Sequence, residues 1–398
     1  MAGPINWLLQ VFAVTKFGLL SIPQRLGSVL ASLVGIAGVV GVLVSILSMA
    51  TGFRKTMTGA DSPDSVIVLR SGATGEMDSG LERSETKLIA DTAGLARGTN
   101  GPLASAELFV IIDLPKRSTG TDANVPMRGV GPAAFQVRGK LKMIAGRPFE
   151  WGKNEVIVGA GAADQFAGMQ VGGKIKVGRD FWPIVGIFSE GGASDSEVWT
   201  DATMLQGAYN RGDSFQAVYV KLATPNSYRE FEGSLTNNPQ LDVKAMKQKD
   251  FNEAKSAVME KLINTLGVLI AGLMAVGAVF GALNTMYNAV SARTREIATL
   301  RALGFGRGSV VVSVMLESLA VAVIGGVIGA AIAYVVFNGY HASTMNFASF
   351  SQISFAFAVT PALLILGIIW AAIIGFIGGI FPAIRAARLP IASALREL

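Results

Sequence analysis

Residues 27–50 read GSVLASLVGIAGVVGVLVSILSMA, 24 consecutive positions without a charge. At 1.5 Å per residue a helix of this length reaches about 36 Å, enough to cross a hydrocarbon core of about 30 Å. Ser48-Met49-Ala50 resembles a leader-peptide cleavage site. The apolar run is nevertheless longer than the roughly 7–15 residues of such a leader, so a retained span is expected. Three more runs follow. Leu262–Ala292 is uncharged, Gly308–Tyr340 carries only Glu317, and Ile353–Ile384 is again uncharged.

Between the first and second runs the composition changes. Residues 51–261 hold 25 Lys+Arg and 25 Asp+Glu, against 9 and 3 in the rest of the 398-residue chain. A single water-soluble globule and a disordered chain are both excluded. The absence of cysteine excludes disulfide and thiol chemistry, and the single histidine disfavours His-based metal or triad sites. The expected fold is an α-helical membrane protein with four transmembrane helices and a large extracytoplasmic α+β domain inserted between helices 1 and 2. Its segments are an N-terminal interfacial helix (1–26), spans at 27–50, 262–290, 309–338 and 360–382, the domain at 51–261, a loop at 291–308, a short outer loop at 339–359 and a tail at 383–398.

Charge fixes the expected orientation. Lys16 and Arg25 precede the first span, Arg293, Arg295, Arg301 and Arg307 fill the second loop, and Arg385, Arg388 and Arg396 mark the tail. The short loop near 341–352 has no Lys or Arg. The positive-inside rule therefore places both termini and the 291–308 loop in the cytoplasm, and residues 51–261 outside. The basic balance follows from this topology and does not suggest nucleic-acid binding.

Within 51–261, β-branched and aromatic runs at Ser65–Arg70, Glu107–Leu114, Asn154–Gly159, Lys174–Gly178, Phe181–Phe188 and Phe215–Leu222 predict strands. Ser84–Ala96, Ala202–Tyr209 and Ser227–Asn237 predict helices, in two small lobes, with loops at 71–80 and 115–124. Asn252–Lys261 can run as a helix into the second span. No G-x-S-x-G, H-E-x-x-H or phosphate loop occurs, so no enzyme activity is expected. Asp195, Glu197 and Asp201 lie close together and are read as solvated loop charges, not as a metal site.

Small residues at i and i+4 mark close helix packing in a bilayer. The pairs are Gly277 and Gly281, Gly325 and Gly329, and Gly375 and Gly379, with Gly27, Ala31 and Gly35 in register on the first span. Both packing inside one chain and a subunit interface remain open for them. Glu317 is the sole ionisable residue inside a span and is expected to form a structural ion pair with an arginine of the preceding loop. That scarcity disfavours a channel or a proton-coupled carrier.

The loop 291–308 reads SARTREIATLRALGFGRG. Arg293, Ile297, Leu300, Arg301 and Gly304 recur at helical spacing, which predicts a short helix closed by Gly304. It satisfies the topology rule, and it also suits a peg for a groove on a cytoplasmic partner.

RTREIATLRAL at 293–303, the following GFG, Glu317 and the Gly-rich third span resemble the permease core of MacB/FtsX/LolC-type ABC transporters. The tail FPAIRAARLPIASALREL at 381–398 resembles the C-terminal signature of the same family. Gly146-Arg147-Pro148-Phe149, Asn154–Gly159, Val171-Gly172 and Val185–Phe188 are similar to the MacB-like periplasmic domain. The resemblance implies a permease in a bacterial inner membrane, with 51–261 periplasmic. It implies a dimer of two copies or of paralogues, a cytoplasmic ATPase partner that binds ATP and Mg, membrane lipid around the spans and, in some members, a periplasmic adaptor. The chain itself would need no cofactor and no metal. Arg293, Arg295, Glu296, Ile297, Leu300, Arg301, Leu303 and Gly304 would form the ATPase-coupling segment. Because only 26 residues precede the first span, the ATPase is expected on a separate chain. The expected function is export or extraction of substrate by mechanotransmission. The alternatives are LolC/LolE-like lipoprotein or lipid release and FtsX-like control of a cell-wall hydrolase.

Overall fold

The computed structural model describes residues 4–20, 23, 26–346 and 351–391. The main helices are α1 (Pro4–Leu20), α2 (Leu26–Thr58), α3 (Arg83–Ala90), α4 (Ala160–Gln165), α5 (Ala202–Ala208), α6 (Tyr228–Thr236), α7 (Gln248–Ala292), α8 (Thr294–Ala302), α9 (Arg307–Phe337) and α10 (Pro361–Ala387), with one further turn of helix at Ala134–Val137. The main strands are β1 (Ser65–Arg70), β2 (Ala104–Pro115), β3 (Asp122–Val130), β4 (Lys142–Gly146), β5 (Val156–Gly159), β6 (Lys174–Val177), β7 (Asp180–Ser189), β8 (Val198–Asp201), β9 (Ala217–Lys221), β10 (Val243–Lys247), β11 (His341–Asn346) and β12 (Ser351–Ala356). Contacts divide the chain into two units. One comprises the described parts of Met1–Thr51, Leu262–Tyr340 and Phe357–Leu398; the other comprises Gly52–Lys261 and His341–Ala356.

The first unit is helical. α2, α7, α9 and α10 have 33, 45, 31 and 27 residues and are each long and apolar enough to cross a membrane. α7 would measure roughly 68 Å, about twice a hydrocarbon core. Valine and alanine dominate the contact layer, with Val40, Val44, Ala322, Ala330, Ala333 and Ala371 buried together. Glycine sets the approach of the backbones. A methyl group at Gly329 would lie 2.9 Å from the Ala37 Cα, and one at Gly325 would lie 3.2 Å from the Leu33 carbonyl oxygen. A methyl at Gly375 would meet the Ser318 carbonyl oxygen at 3.1 Å, and one at Gly379 would meet the Ser318 Cβ at 2.7 Å. Ser318 Oγ also donates to the Gly375 carbonyl at 2.7 Å. Ser32 Oγ donates to Thr285 Oγ1 at 3.0 Å, joining α2 to α7 through a polar contact of the kind favoured away from water. Gly27, Gly35, Gly277 and Gly281 meet nothing within 4 Å. The same small-residue spacing therefore occurs both on packed faces and on open ones.

The second unit is built on a ten-stranded sheet with the path β10-β1-β9-β2-β3-β8-β5-β7-β4, and β6 pairs with β7. The two expected lobes share this one path. β2 joins them: Ala104–Glu107 pair with β9, and Leu108–Pro115 pair with β3. β3, absent from the expected strands, occupies Asp122–Val130, so the expected loop at 115–124 gives way to strand at its end. The helix expected at Ser84–Ala96 stops at Ala90 with Asp91 as its C-cap, and Gly94 beyond it takes φ +88°.

The expected short outer loop at 339–359 is instead an antiparallel pair, β11 with β12. Its packing is explicit: Ser354 N donates to Ser196 Oγ at 2.9 Å, and the Phe355 ring meets Phe53 edge-on at 5.6 Å. Apolar alternation on β12 drives this, since Ile353 and Phe355 are both buried.

Candidate functional site

Two arrangements stand out, one in each unit. In the helical unit, α8 follows α7 directly and ends in a glycine cap. Gly304 has φ +98°, Phe305 N donates to the Leu300 carbonyl and Gly304 N to the Arg301 carbonyl, each at 3.1 Å. This double bond pattern satisfies the helix-end carbonyls and needs a left-handed residue, which explains the glycine.

Arg293 and Ile297, expected on the partner-facing strip, face inward. Ile297 is 4% exposed and packs with Val290, Val310, Val314 and Ala383. Arg293 is buried, with Nε 2.9 Å from Glu296 Oε2 and Nη1 3.3 Å from Glu317 Oε2. A helical stripe has two possible addresses, the chain's own core or a partner, and here the core takes it. Arg301 Nη1 donates to the Leu389 carbonyl at 2.6 Å. Leu300 is half-buried, while Arg295, Glu296, Thr299, Leu303 and Gly304 are exposed, Leu303 by 73%. A cleft of about 400 Å³ lies beside this face, lined by Ala13, Val14, Arg295, Glu296, Thr299 and Leu300.

α1 completes this arrangement at Gly18. A methyl group there would stand 2.9 Å from Glu317 Oε2 and 3.0 Å from Arg293 Nη1. Gly18, the single glycine of α1, was the available sequence signal for this close approach.

In the sheet unit, Arg128 on β3 is 3% exposed. Its Nε and Nη2 donate to Glu197 Oε2 and Oε1, each at 2.8 Å, a bidentate pair. Nη1 reaches Glu107 at 3.1 Å and also binds Glu76. Arg138 Nη2 lies 2.7 Å from Glu107, and Lys255 Nζ lies 3.1 Å from Glu76. The Arg138 guanidinium sits 4.2 Å from the Tyr219 ring centre and 4.8 Å from that of Trp199. Glu197, expected to be a solvated loop charge, is therefore a buried partner, and Asp201 is buried as the N-cap of α5. The parallel pairing of β8 with β3 sets Trp199 opposite Arg128 and draws this acidic segment into the core.

Burial pushes the Glu76 and Glu197 carboxyls up, but the charge and hydrogen bonds of Arg128, joined by Lys255 at Glu76 and by the Arg138 charge at Glu197, together hold both below the ordinary glutamate value. For Glu107 burial prevails over the pull of Arg138 and Arg128, and its pKa rises. Burial also raises Glu190, and pushes Asp61 up to about 6 against the lowering hydrogen bond from Asn252. That bond runs from Asn252 Nδ2 to Asp61 Oδ1 at 2.7 Å. The cluster borders a partly open cavity of about 60 Å³. Among the described residues no group of three His, Asp or Glu could hold a metal ion. The arrangement holds fixed charge in a fixed geometry.

Comparison with known proteins follows the same division. Residues 29–238 match the model of the MacB-like periplasmic core domain, and residues 268–391 match the FtsX-like permease C-terminal model. The macrolide export ATP-binding/permease protein MacB of Bdellovibrio bacteriovorus is 26% identical over 402 positions, which cover 93% of this chain and 58% of that protein. MacB 1/2 of Paracoccus denitrificans is 25% identical, over 93% of this chain and 56% of its own length. The chain thus spans somewhat more than half the length of these curated relatives. The crystal structure of the periplasmic region of MacB from Actinobacillus actinomycetemcomitans superposes with a TM-score of 0.38 at 13% identity, over 49% of this chain and 94% of that one. With the core-domain model matching more than half of its residues and the permease model matching most of the rest, the chain belongs to the MacB/FtsX-type permease family.

Proposed function

We propose that this chain is the permease subunit of an ABC transporter of the export type. In it, a cytoplasmic ATPase docks on the exposed face of α8, and nucleotide-driven motion passes along α7 and α2 to the sheet unit. The carrying observation is the division of labour on α8. Arg293, Ile297 and Arg301 anchor the helix to its own unit, while Arg295, Glu296, Thr299 and Leu303 remain exposed beside an apolar cleft. A helix so anchored can pass on a push without bending. α7, unbroken over 45 residues, is the second support for the reading.

ATP and Mg are bound by the ATPase, and no G-x-x-x-x-G-K-[ST] loop occurs within these 398 residues. The permease contributes no catalytic residue. A second permease copy packs on the open face of α7 bearing Gly277 and Gly281, where small residues permit close backbone approach. The 51–261 domain lies in the periplasm and both termini in the cytoplasm, as the arginine distribution supports. Curated relatives are named for macrolide export, and an amphiphilic cargo moved on the periplasmic side is the corresponding reading here.

The test is reconstitution of the full chain with the ATPase that co-purifies with it. Leu303→Asp and Arg295→Glu, both on the exposed face, should weaken ATPase association at least tenfold while leaving the permease folded. Association and ATPase rate unchanged in both variants would refute the docking role.

A further inference from the structure

The helical unit has a further cleft, of about 430 Å³, at the C-terminal end of α10. Tyr287 on α7 lines one side, Phe381, Ile384, Arg385 and Arg388 on α10 line the other, and Leu389 lies at its end. The four α10 residues stand at i, i+3, i+4 and i+7, so one face of the helix carries them all.

That face continues away from the cleft as bare apolar surface. Ile369, Ile373, Ile377 and Phe381 follow one another at intervals of four and are 43% to 59% exposed. From Ile369 to Phe381 the stripe runs roughly 18 Å along the helix axis. One leaflet of a bilayer has nearly that depth, about half of the hydrocarbon core. On a helix long and apolar enough to cross a membrane, the neighbour of such a stripe is a lipid tail wherever protein does not cover it.

Charge in the cleft has one sign. Arg385 and Arg388 are exposed, and neither forms an ion pair among the described residues. Neither Leu262–Ala292 nor the stretch 353–391 contains an acid, so neither helix beside the cleft supplies a counter-charge. The described part of the helical unit has two acids, Glu296 and Glu317, and Arg293 holds both. The Arg385 guanidinium lies 5.4 Å from the Tyr287 ring centre, a contact that steers the cation without neutralising it. Arg301, donating to the Leu389 carbonyl at 2.6 Å, adds a third guanidinium at the margin. Two uncompensated arginines at the end of a leaflet-deep apolar stripe match a molecule with an anionic head and a long apolar tail. Basic pockets between membrane helices bind anionic lipid headgroups on these terms.

We infer that this cleft holds the headgroup of an anionic phospholipid, with its phosphate between Arg385 and Arg388 and an acyl chain along Ile377, Ile373 and Ile369. The inference rests on α10 crossing a bilayer and is independent of ATPase docking on α8.

The experiment is photolabelling of the full chain in phosphatidylcholine nanodiscs, without ATPase or nucleotide. The probes are trace phosphatidylglycerol and trace phosphatidylcholine, each with a diazirine near the headgroup end of one acyl chain, and labelled peptides are quantified by mass spectrometry. The glycerol probe is expected to label residues 381–389 about tenfold more than the choline probe. Excess unlabelled phosphatidylglycerol should suppress that labelling, and excess inorganic phosphate should not. Arg385→Gln combined with Arg388→Gln should remove the preference, and lysine at both positions should retain it. Arg211→Gln combined with Arg229→Gln, in the sheet unit, should leave it unchanged; melting curves identify any variant that fails to fold. Equal labelling by the two probes in the parent, or an unchanged preference in the folded glutamine pair, overturns the proposal. Suppression by phosphate, which assigns the cleft to a soluble anion, also overturns it, as does a lack of labelling by either probe, the result of a second copy covering the stripe.

Discussion

Replacement of Arg128 by leucine tests the buried charge cluster most severely. The guanidinium donates twice to Glu197 and also serves Glu107 and Glu76. Glu107 would keep Arg138 and Glu76 would keep Lys255, but among the described residues Glu197 would keep the indole N–H of Trp199, at 2.7 Å, and no ion pair of its own, with Arg138 acting on it only through space. Removing one partner of a buried pair typically costs about 3–5 kcal/mol, because the remaining charge is left without compensation. For a unit of this size each kcal/mol lowers the melting temperature by about 2–4 °C, so a fall of roughly 6–20 °C is expected. Thermal unfolding of the full chain in nanodiscs, followed by tryptophan fluorescence, measures it. Adding Glu197→Gln to Arg128→Leu should recover part of the loss, because the stranded charge is then removed. A loss below about 1 kcal/mol, the value of an exposed pair, would refute the reasoning. So would a double variant less stable than Arg128→Leu alone.

Three further outcomes follow. Asp61 is held at about 6, above its ordinary 3.8, so between these values the folded state binds more protons than the unfolded chain. Its contribution is therefore complete below pH 4 and is lost as pH rises through 6, and Asp61→Asn should raise the melting temperature relative to the parent at pH 8 but not at pH 4. A Gly329→Leu side chain would drive into the Ala37 backbone and should destabilise the helical unit by about 1–3 kcal/mol, whereas Gly277→Leu meets open space and should leave a monomer's stability unchanged in detergent melts. Gly18→Val should push α1 away from the Arg293–Glu317 pair, read as faster proteolysis within residues 4–20, whereas Gly27→Val should not.

The helical unit and many of the strands were legible because they depend on composition and local period. Long uncharged runs have one main structural use, and the β-branched segments Ser65–Arg70 and Phe181–Phe188 both lie within observed strands. β3 was not legible: Asp122–Val130 contains proline, glycine and arginine, and only its partners β2 and β8 make it a strand. The Arg128 cluster was hidden for a related reason. Its bidentate partner is 69 positions away and Glu76 is 52 away, so no spacing along the chain connects them. On α8 the helical stripe grouped Arg293 with Ile297 correctly, but periodicity is silent on whether a stripe faces its own core or another molecule. The glycine pairs carry the same ambiguity, resolved only by which neighbour occupies the space.

The central claim is that nucleotide-driven motion of an ATPase docked on α8 moves the sheet unit. The chain has no cysteine, so a Gln240→Cys spin label on an exposed turn before β10 is unique in each copy. Electron–electron resonance between two copies, in the complex with ATPase, should give a distance distribution that shifts between the nucleotide-free state and the state trapped with ATP, Mg and vanadate. The shift should vanish in Leu303→Asp. Identical distributions in the two states, in a complex that hydrolyses ATP, would contradict the account.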